Sequence, residues 1–181
     1  TRLAELGGPR EGAVRDVMHE LVGSFYGSGN GRVNWRYLPK SNEVIWFSQR
    51  SDWGHLYLYD LATGEQKRQI TSGSWNVTQL LRVDEAARVL YFAAVGRESG
   101  RDPYFRHFYR VGMDGEGLTL LSPADADHDL SLRADGKYVV DTWSTPDKPG
   151  ASVVRDATGA EVLALETTDI SKLTAAGWKP P

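Results

Sequence analysis

Val44-Ile45-Trp46-Phe47-Ser48-Gln49-Arg50-Ser51-Asp52-Trp53-Gly54-His55-Leu56-Tyr57-Leu58-Tyr59-Asp60-Leu61-Ala62-Thr63-Gly64-Glu65 reads as two β-strands joined by a tight turn and closed by a second turn. Successive side chains of a strand face opposite ways. Val44 and Trp46 share one face and Ile45 and Phe47 the other, so both faces are apolar. The same holds for Leu56 and Leu58 against Tyr57 and Tyr59. β-Branched and aromatic residues suit a pleated, buried surface, so both strands are expected to be covered on both sides. Asp52-Trp53-Gly54 supplies a glycine for the reversal, and Thr63-Gly64 supplies another.

The unit recurs. Tyr37–Phe47 is an apolar start, a polar turn and an apolar strand; Arg82–Phe92 and Ser131–Asp141 repeat it. Leu58–Gly64 answers to Tyr109–Gly115 and to Val153–Gly159, each followed by a further short strand. A period of roughly 45–50 residues with four short strands is the mark of β-propeller blades. One blade is apolar on both faces and needs neighbours to cover them, which a ring of blades provides. The expected fold is all-β: a partial β-propeller of about three four-stranded antiparallel blades plus part of a fourth. The expected divisions are 1–30 (remnant of a preceding blade and connection), 31–75 (blade), 76–127 (blade with a long hairpin insertion), 128–168 (blade) and 169–181 (short helix and linker).

Composition sets outer limits. The 181 residues are 40% hydrophobic, enough for a core, and the net charge of −3 is spread with both signs mixed. A nucleic-acid partner would need a basic patch, and none is visible. There is no cysteine, hence no disulfide framework and no thiolate metal site. No apolar run approaches the roughly 20 residues that cross a bilayer as a helix. Closed propellers have about four to eight blades. A chain of this length that starts at Thr1 is therefore expected to be an incomplete ring, with exposed strand edges that favour self-association.

Along the chain, Thr1–Gly12 reads as a loop or frayed end. Ala13–Val22 fits a short strand or an amphipathic helix, and by analogy with Gln66–Thr71 the last strand of a truncated blade. The innermost strands are expected at Val33–Leu38, Asn76–Leu81 and His128–Leu132. The longest insertion, Val95–Arg110, is dense in Arg, Tyr, Phe and His, and long loops in compact domains tend to be functional. Near the end, Asp169 or Ser171 is suited to cap a short helix that gives way at Gly177.

Trp46–Gln49, Asp52–Tyr57, Arg101–Arg110, Asp125–Asp129 and the stretch Asp169–Pro180 together resemble the N-terminal propeller of bacterial dipeptidyl peptidase IV–like enzymes, in the prolyl oligopeptidase group of serine peptidases. The resemblance runs from about Val14 to Pro181. It implies an eight-bladed propeller that gates access and helps position peptide substrate, attached to a C-terminal α/β-hydrolase domain that does the chemistry. It also implies a periplasmic or secreted setting. This chain has no Gly-x-Ser-x-Gly, so no nucleophile elbow. It has no Glu-Glu pair to hold a substrate amino group, as the family's propeller does. No catalytic residue is therefore assigned, and no metal or cofactor is expected. A second reading stays open: a free-standing propeller-like protein-binding module closed by self-association.

Arg101, Asp102, Tyr104, Arg106 and His107 are the candidates for a substrate cavity or interface, since Arg and aromatic residues are the enriched anchors of such surfaces. The plainer reading of the same run is an ion-pair network of Arg101, Asp102, Arg106 and Arg110 that stiffens its own hairpin. Asp125, Asp127, His128 and Asp129 are read as turn aspartates before an inner strand, with His128 hydrogen-bonded inside, rather than as a cation loop. Trp35, Trp53, Trp75 and Trp143 fall at blade positions and are expected to pack between blades.

Overall fold

The computed structural model describes residues 2–4, 9, 12–21, 27, 34–133, 135–179 and 181. The stretch Ser24–Gly31, whose glycines suit a flexible connection between blades, falls almost entirely outside them. A two-stranded sheet, β1 (Arg2–Ala4) and β2 (Val14–Asp16), precedes three four-stranded antiparallel sheets. The first contains β3 (Arg36–Leu38), β4 (Glu43–Ser48), β5 (His55–Asp60) and β6 (Gln66–Gln69) in chain order. The second contains β7 (Asn76–Asp84), β8 (Val89–Val95), β9 (His107–Gly112) and β10 (Thr119–Leu120). The third contains β11 (Asp127–Leu132), β12 (Tyr138–Thr145), β13 (Lys148–Asp156) and β14 (Glu161–Thr167), and a short helix α1 (Ser171–Ala175) follows. Each sheet is a meander whose neighbours in sequence are neighbours in space, which is how a propeller blade is built.

The doubly apolar reading of β4 and β5 holds, because each strand lies between two cores. Ile45, Phe47, Leu56 and Leu58 meet Val77, Leu80, Leu90, Phe92, Ala94, Tyr109 and Val111 across the joint between the first and second sheets. Val44, Tyr57 and Tyr59 meet Val17 and Met18 on the other side. The joint between the second and third sheets is smaller: Tyr91, Phe108, Leu121 and Val139 form its buried centre. Full burial of each large apolar side chain contributes about 1.5–3 kcal/mol.

Several sequence expectations change. Residues Arg2–Ala4, taken within a loop, pair as a strand with β2. The first reversal of the opening stretch is made at Asp52, with φ of 68°, and not at Gly54. Gly54 is needed instead for close approach, since a Cβ there would lie 2.7 Å from the Phe47 ring. The alignment of the first two blades slips by one residue. Asn42 and Arg88 both have positive φ, and their carbonyls accept from Leu61 and Met113, so these residues correspond. That pairs Trp46 with Phe92 and His55 with His107. A one-residue slip exchanges the two faces of a strand. With apolar residues on both faces, the hydrophobic pattern could not detect it. The α1 cap position is occupied by Ile170; Asp169 stands one residue earlier and accepts from the Ser171 N–H at 2.8 Å. Trp35 and Trp53 are substantially exposed, whereas Trp75 is buried against His55, Phe92 and Tyr109.

The turn glycines of the repeat have a shared physical cause. Gly64, Gly115 and Gly159 all have φ between 78° and 90°, which L side chains resist. Each also presses on what precedes it in the stack: Gly64 on the Val17 carbonyl, Gly115 on Ile70 and Gly159 on Leu121.

At the turn ends, Glu43 clamps the first joint. Its buried carboxylate accepts from Lys67 at 2.6 Å and from Arg88 of the second sheet. Burial alone would raise its pKa; bonds from Arg88, then Lys67 and Ser41, outweigh that and hold it at about 2. The unfolded carboxyl, near 4.5, takes up its proton first as pH falls. The clamp's contribution is therefore complete above about pH 4.5 and is lost towards about pH 2. Both cations are nearly half-exposed, so water screens them and the expected loss is about 1–2 kcal/mol. Urea unfolding of Glu43→Gln beside the native chain should show the variant with a flatter acid limb. Parallel limbs would contradict the clamp.

Candidate functional site

The β8–β9 loop, residues 96–106, and the β10–β11 connection, residues 121–126, meet at one end of the second and third sheets. Arg106 donates from Nε to Asp127 Oδ1 at 2.9 Å and from Nη2 to Oδ2 at 2.7 Å, and its backbone N–H also reaches Oδ1. This two-pronged contact fixes orientation as well as distance. Burial would raise the Asp127 pKa, but the Arg106 bonds hold it below the usual carboxylate range. Arg101 donates from Nη2 to the Pro123 carbonyl at 3.0 Å and from Nη1 to that of Ala124 at 3.2 Å. Asp102 accepts from the Tyr104 N–H at 2.8 Å in a local turn, and Tyr104 itself is 86% exposed at the loop tip. The charged run does not close on itself, as the hairpin network required. Arg101 and Arg106 reach outward and strap the loop to the next blade.

Beneath the strap the contacts are buried. His128 Nδ1 is 2.7 Å from Asp141 Oδ1, and its Nε2 is 3.0 Å from the Ala124 carbonyl. Arg155 Nε donates to the other Asp141 oxygen at 2.8 Å. Trp143 lies beside both side chains, 5.9 Å from the His128 ring and 5.6 Å from the Arg155 guanidinium. The expectation that His128 is hydrogen-bonded inside therefore holds. Asp127 and His128, next to each other in sequence, are directed to different partners and do not converge.

His107 begins β9 and is 2% exposed, yet neither ring nitrogen has a hydrogen-bond partner among the described residues. Its ring lies 5.3 Å from that of His128. Close by, Glu98 accepts from Arg97 at 2.7 Å and from the Tyr109 hydroxyl at 2.9 Å. Burial raises the Tyr109 pKa and the bond to Glu98 adds to it, so the hydroxyl remains a donor.

The structure thus brings together Arg101, Arg106 and His107 and leaves Asp102 and Tyr104 at the exposed tip. Sequence reading missed Glu98, Asp141 and Arg155. Asp141 carried a signal: it stands where the second blade has Phe92. A lone carboxylate at an aromatic core position implies a buried cation. Arg155, at the position of Val111, is that cation.

Repeated four-stranded meanders stacked face to face define this chain as part of a β-propeller. A dipeptidyl peptidase 4 from Porphyromonas gingivalis has the same fold, with a TM-score of 0.73 over 91% of this chain and 22% of that one, at 24% identity. The family described as the dipeptidyl peptidase IV N-terminal region matches residues 14–150, and the chain belongs to that family. Dipeptidyl peptidase 4 of Arthroderma otae is 31% identical over 118 residues, which are 62% of this chain and 15% of that protein. The corresponding protein of Trichophyton verrucosum, described as a probable dipeptidyl peptidase 4, is 28% identical over 142 residues, 77% of this chain and 17% of that protein. The chain spans less than a quarter of each of these relatives.

Proposed function

We propose that this chain is the non-catalytic propeller portion of a dipeptidyl peptidase IV–like serine peptidase, where it gates access and helps position peptide substrate. The observation that carries this reading is the strapped, Arg-rich loop at the end of the second and third blades. It presents an exposed aromatic tip on a base held by paired charges, within a chain of the dipeptidyl peptidase IV N-terminal family. Binding residues are typically carried by loops positioned on a rigid scaffold. The chemistry belongs to a C-terminal α/β-hydrolase domain of the parent protein. The outward face of the last sheet, with Tyr138, Val140 and Leu163 exposed, is available to that domain, to another blade or to a second copy.

The test is Arg106→Ala in the parent peptidase, with kinetics on a short chromogenic dipeptidyl substrate and on a longer peptide. Loss of the Asp127 contact frees the loop base. KM for the longer peptide is expected to change several-fold, while kcat on the short substrate stays within about twofold. Equal loss of kcat on both substrates, or no change on either, would contradict a gating and positioning role.

A further inference from the structure

His55 and His107 occupy the same position in successive blades and have different surroundings. In the first blade, His55 Nε2 donates to the Gly73 carbonyl at 2.9 Å, and Nδ1 faces the Thr71 hydroxyl at 3.1 Å. Thr71 can donate to a neutral ring or turn to accept from a charged one, so His55 keeps both contacts in either state. In the second blade, Ser122 stands where the first has Thr71, and its hydroxyl accepts the Phe108 N–H at 2.8 Å. His107 receives neither contact, and both nitrogens are orphaned.

Its neighbours make a proton there costly. His128 faces acceptors at both nitrogens, the Asp141 carboxylate and the Ala124 carbonyl. Arg101 shares the Ala124 carbonyl with it. The charged and titratable groups facing His107 are thus Glu98 and Arg101 from the loop and His128 from β11. Asp141 and Arg155 lie behind His128, and the Arg106–Asp127 pair is adjacent in the chain. Asp141 is already engaged by two donors, and Glu98 by Arg97 and Tyr109.

The geometry points to His107 as a proton-operated latch, whose protonation at mildly acid pH releases the 96–106 loop from the 121–127 segment that leads into the next blade. A charged ring at this site would meet the Ser122 carbonyl only outside hydrogen-bond geometry and would stand against the Arg101 guanidinium and the His128 ring, whereas opening the joint gives it water. Burial first, then His128 and Arg101, lower the His107 pKa, in the direction this latch requires. The opened ring, with an ordinary value near 6.5, binds its proton before the closed one. The closed joint is therefore fully held above that pH and loosens as pH falls below it.

Hydrogen exchange of the intact chain reads this directly, after correction for intrinsic rates. The His128 amide, which donates to the Arg106 carbonyl, and the Phe108 amide both cross this region. Their protection should fall about tenfold between about pH 7.5 and about pH 5.5, with the matching Val77 amide of the first joint changing less. His107→Phe should abolish that difference. Should the variant fail to fold, the His107 ring titration in the native chain decides. The latch requires a midpoint clearly below about 6.5. Protection that ignores pH, a pH effect that survives in His107→Phe, or a ring midpoint at or above that value would each overturn the latch.

Discussion

Replacing Asp141 by alanine is expected to cost about 3–5 kcal/mol and to break the joint between the second and third blades first. The carboxylate is fully buried and holds His128 and Arg155 through separate oxygens. Both partners lie almost completely inside, so neither can turn to water without moving its strand. Alanine leaves two buried donors uncompensated, and that penalty, more than the lost attraction, is the main cost. Asparagine keeps the shape and one acceptor, so Asp141→Asn should lose roughly half as much by the same argument. Trp143, beside the His128 ring and the Arg155 guanidinium, supplies a local 19F signal once the six tryptophans are fluorine-labelled and assigned. Urea unfolding followed at that tryptophan should show the transition move before the first joint responds. A loss below about 1 kcal/mol for Asp141→Ala would mean that the buried triad is incidental to the joint.

Gly159→Ala is expected to cost about 2–5 kcal/mol. Its φ of 90° carries a penalty of about 1–2 kcal/mol for an L residue. The new Cβ would also stand 2.9 Å from Leu121 Cα and 3.0 Å from its carbonyl oxygen, against backbone that has no rotamer to escape by. Overpacking of this kind adds about 1–3 kcal/mol. Gly117→Ala separates the two causes: φ is also positive there, at 68°, but a Cβ would meet nothing within 4 Å. Denaturant midpoints should place Gly159→Ala well below Gly117→Ala. Equal losses would show that only the backbone conformation matters and that the blade-on-blade approach does not.

These glycines show how much of the architecture the sequence disclosed. Val44–Phe47 and Leu56–Tyr59, with their turns, were enough to give the strands and the blade repeat. The turn glycines marked where each third strand ends, but their contact with the preceding blade appears only in three dimensions. Strand register was the weaker part. Trp46, Phe92 and Asp141 share a position, yet the apolar run on both faces of β4 and β8 gave no phase by which to pair Trp46 with Phe92. The candidate loop was legible from its length and its Arg-rich composition. Its function as a strap was not, because Arg106 reaches Asp127 and Arg101 reaches Pro123 and Ala124 across two connections that sequence spacing does not relate. The orphaned state of His107 was equally hidden. Ser122 and Thr71 each accept a backbone N–H, from Phe108 and Leu56, but only the Thr71 hydroxyl also lies within hydrogen-bond reach of its histidine, and that placement exists only in three dimensions.

The most direct test of the gating account is the kinetic comparison in the parent peptidase between the native loop and one shortened across Ser99–Phe105. The account predicts that kcat/KM for a short chromogenic dipeptidyl substrate stays within about twofold, while selectivity among longer peptides shifts several-fold through KM. A uniform fall in kcat on every substrate, or unchanged selectivity once the loop is shortened, would contradict it.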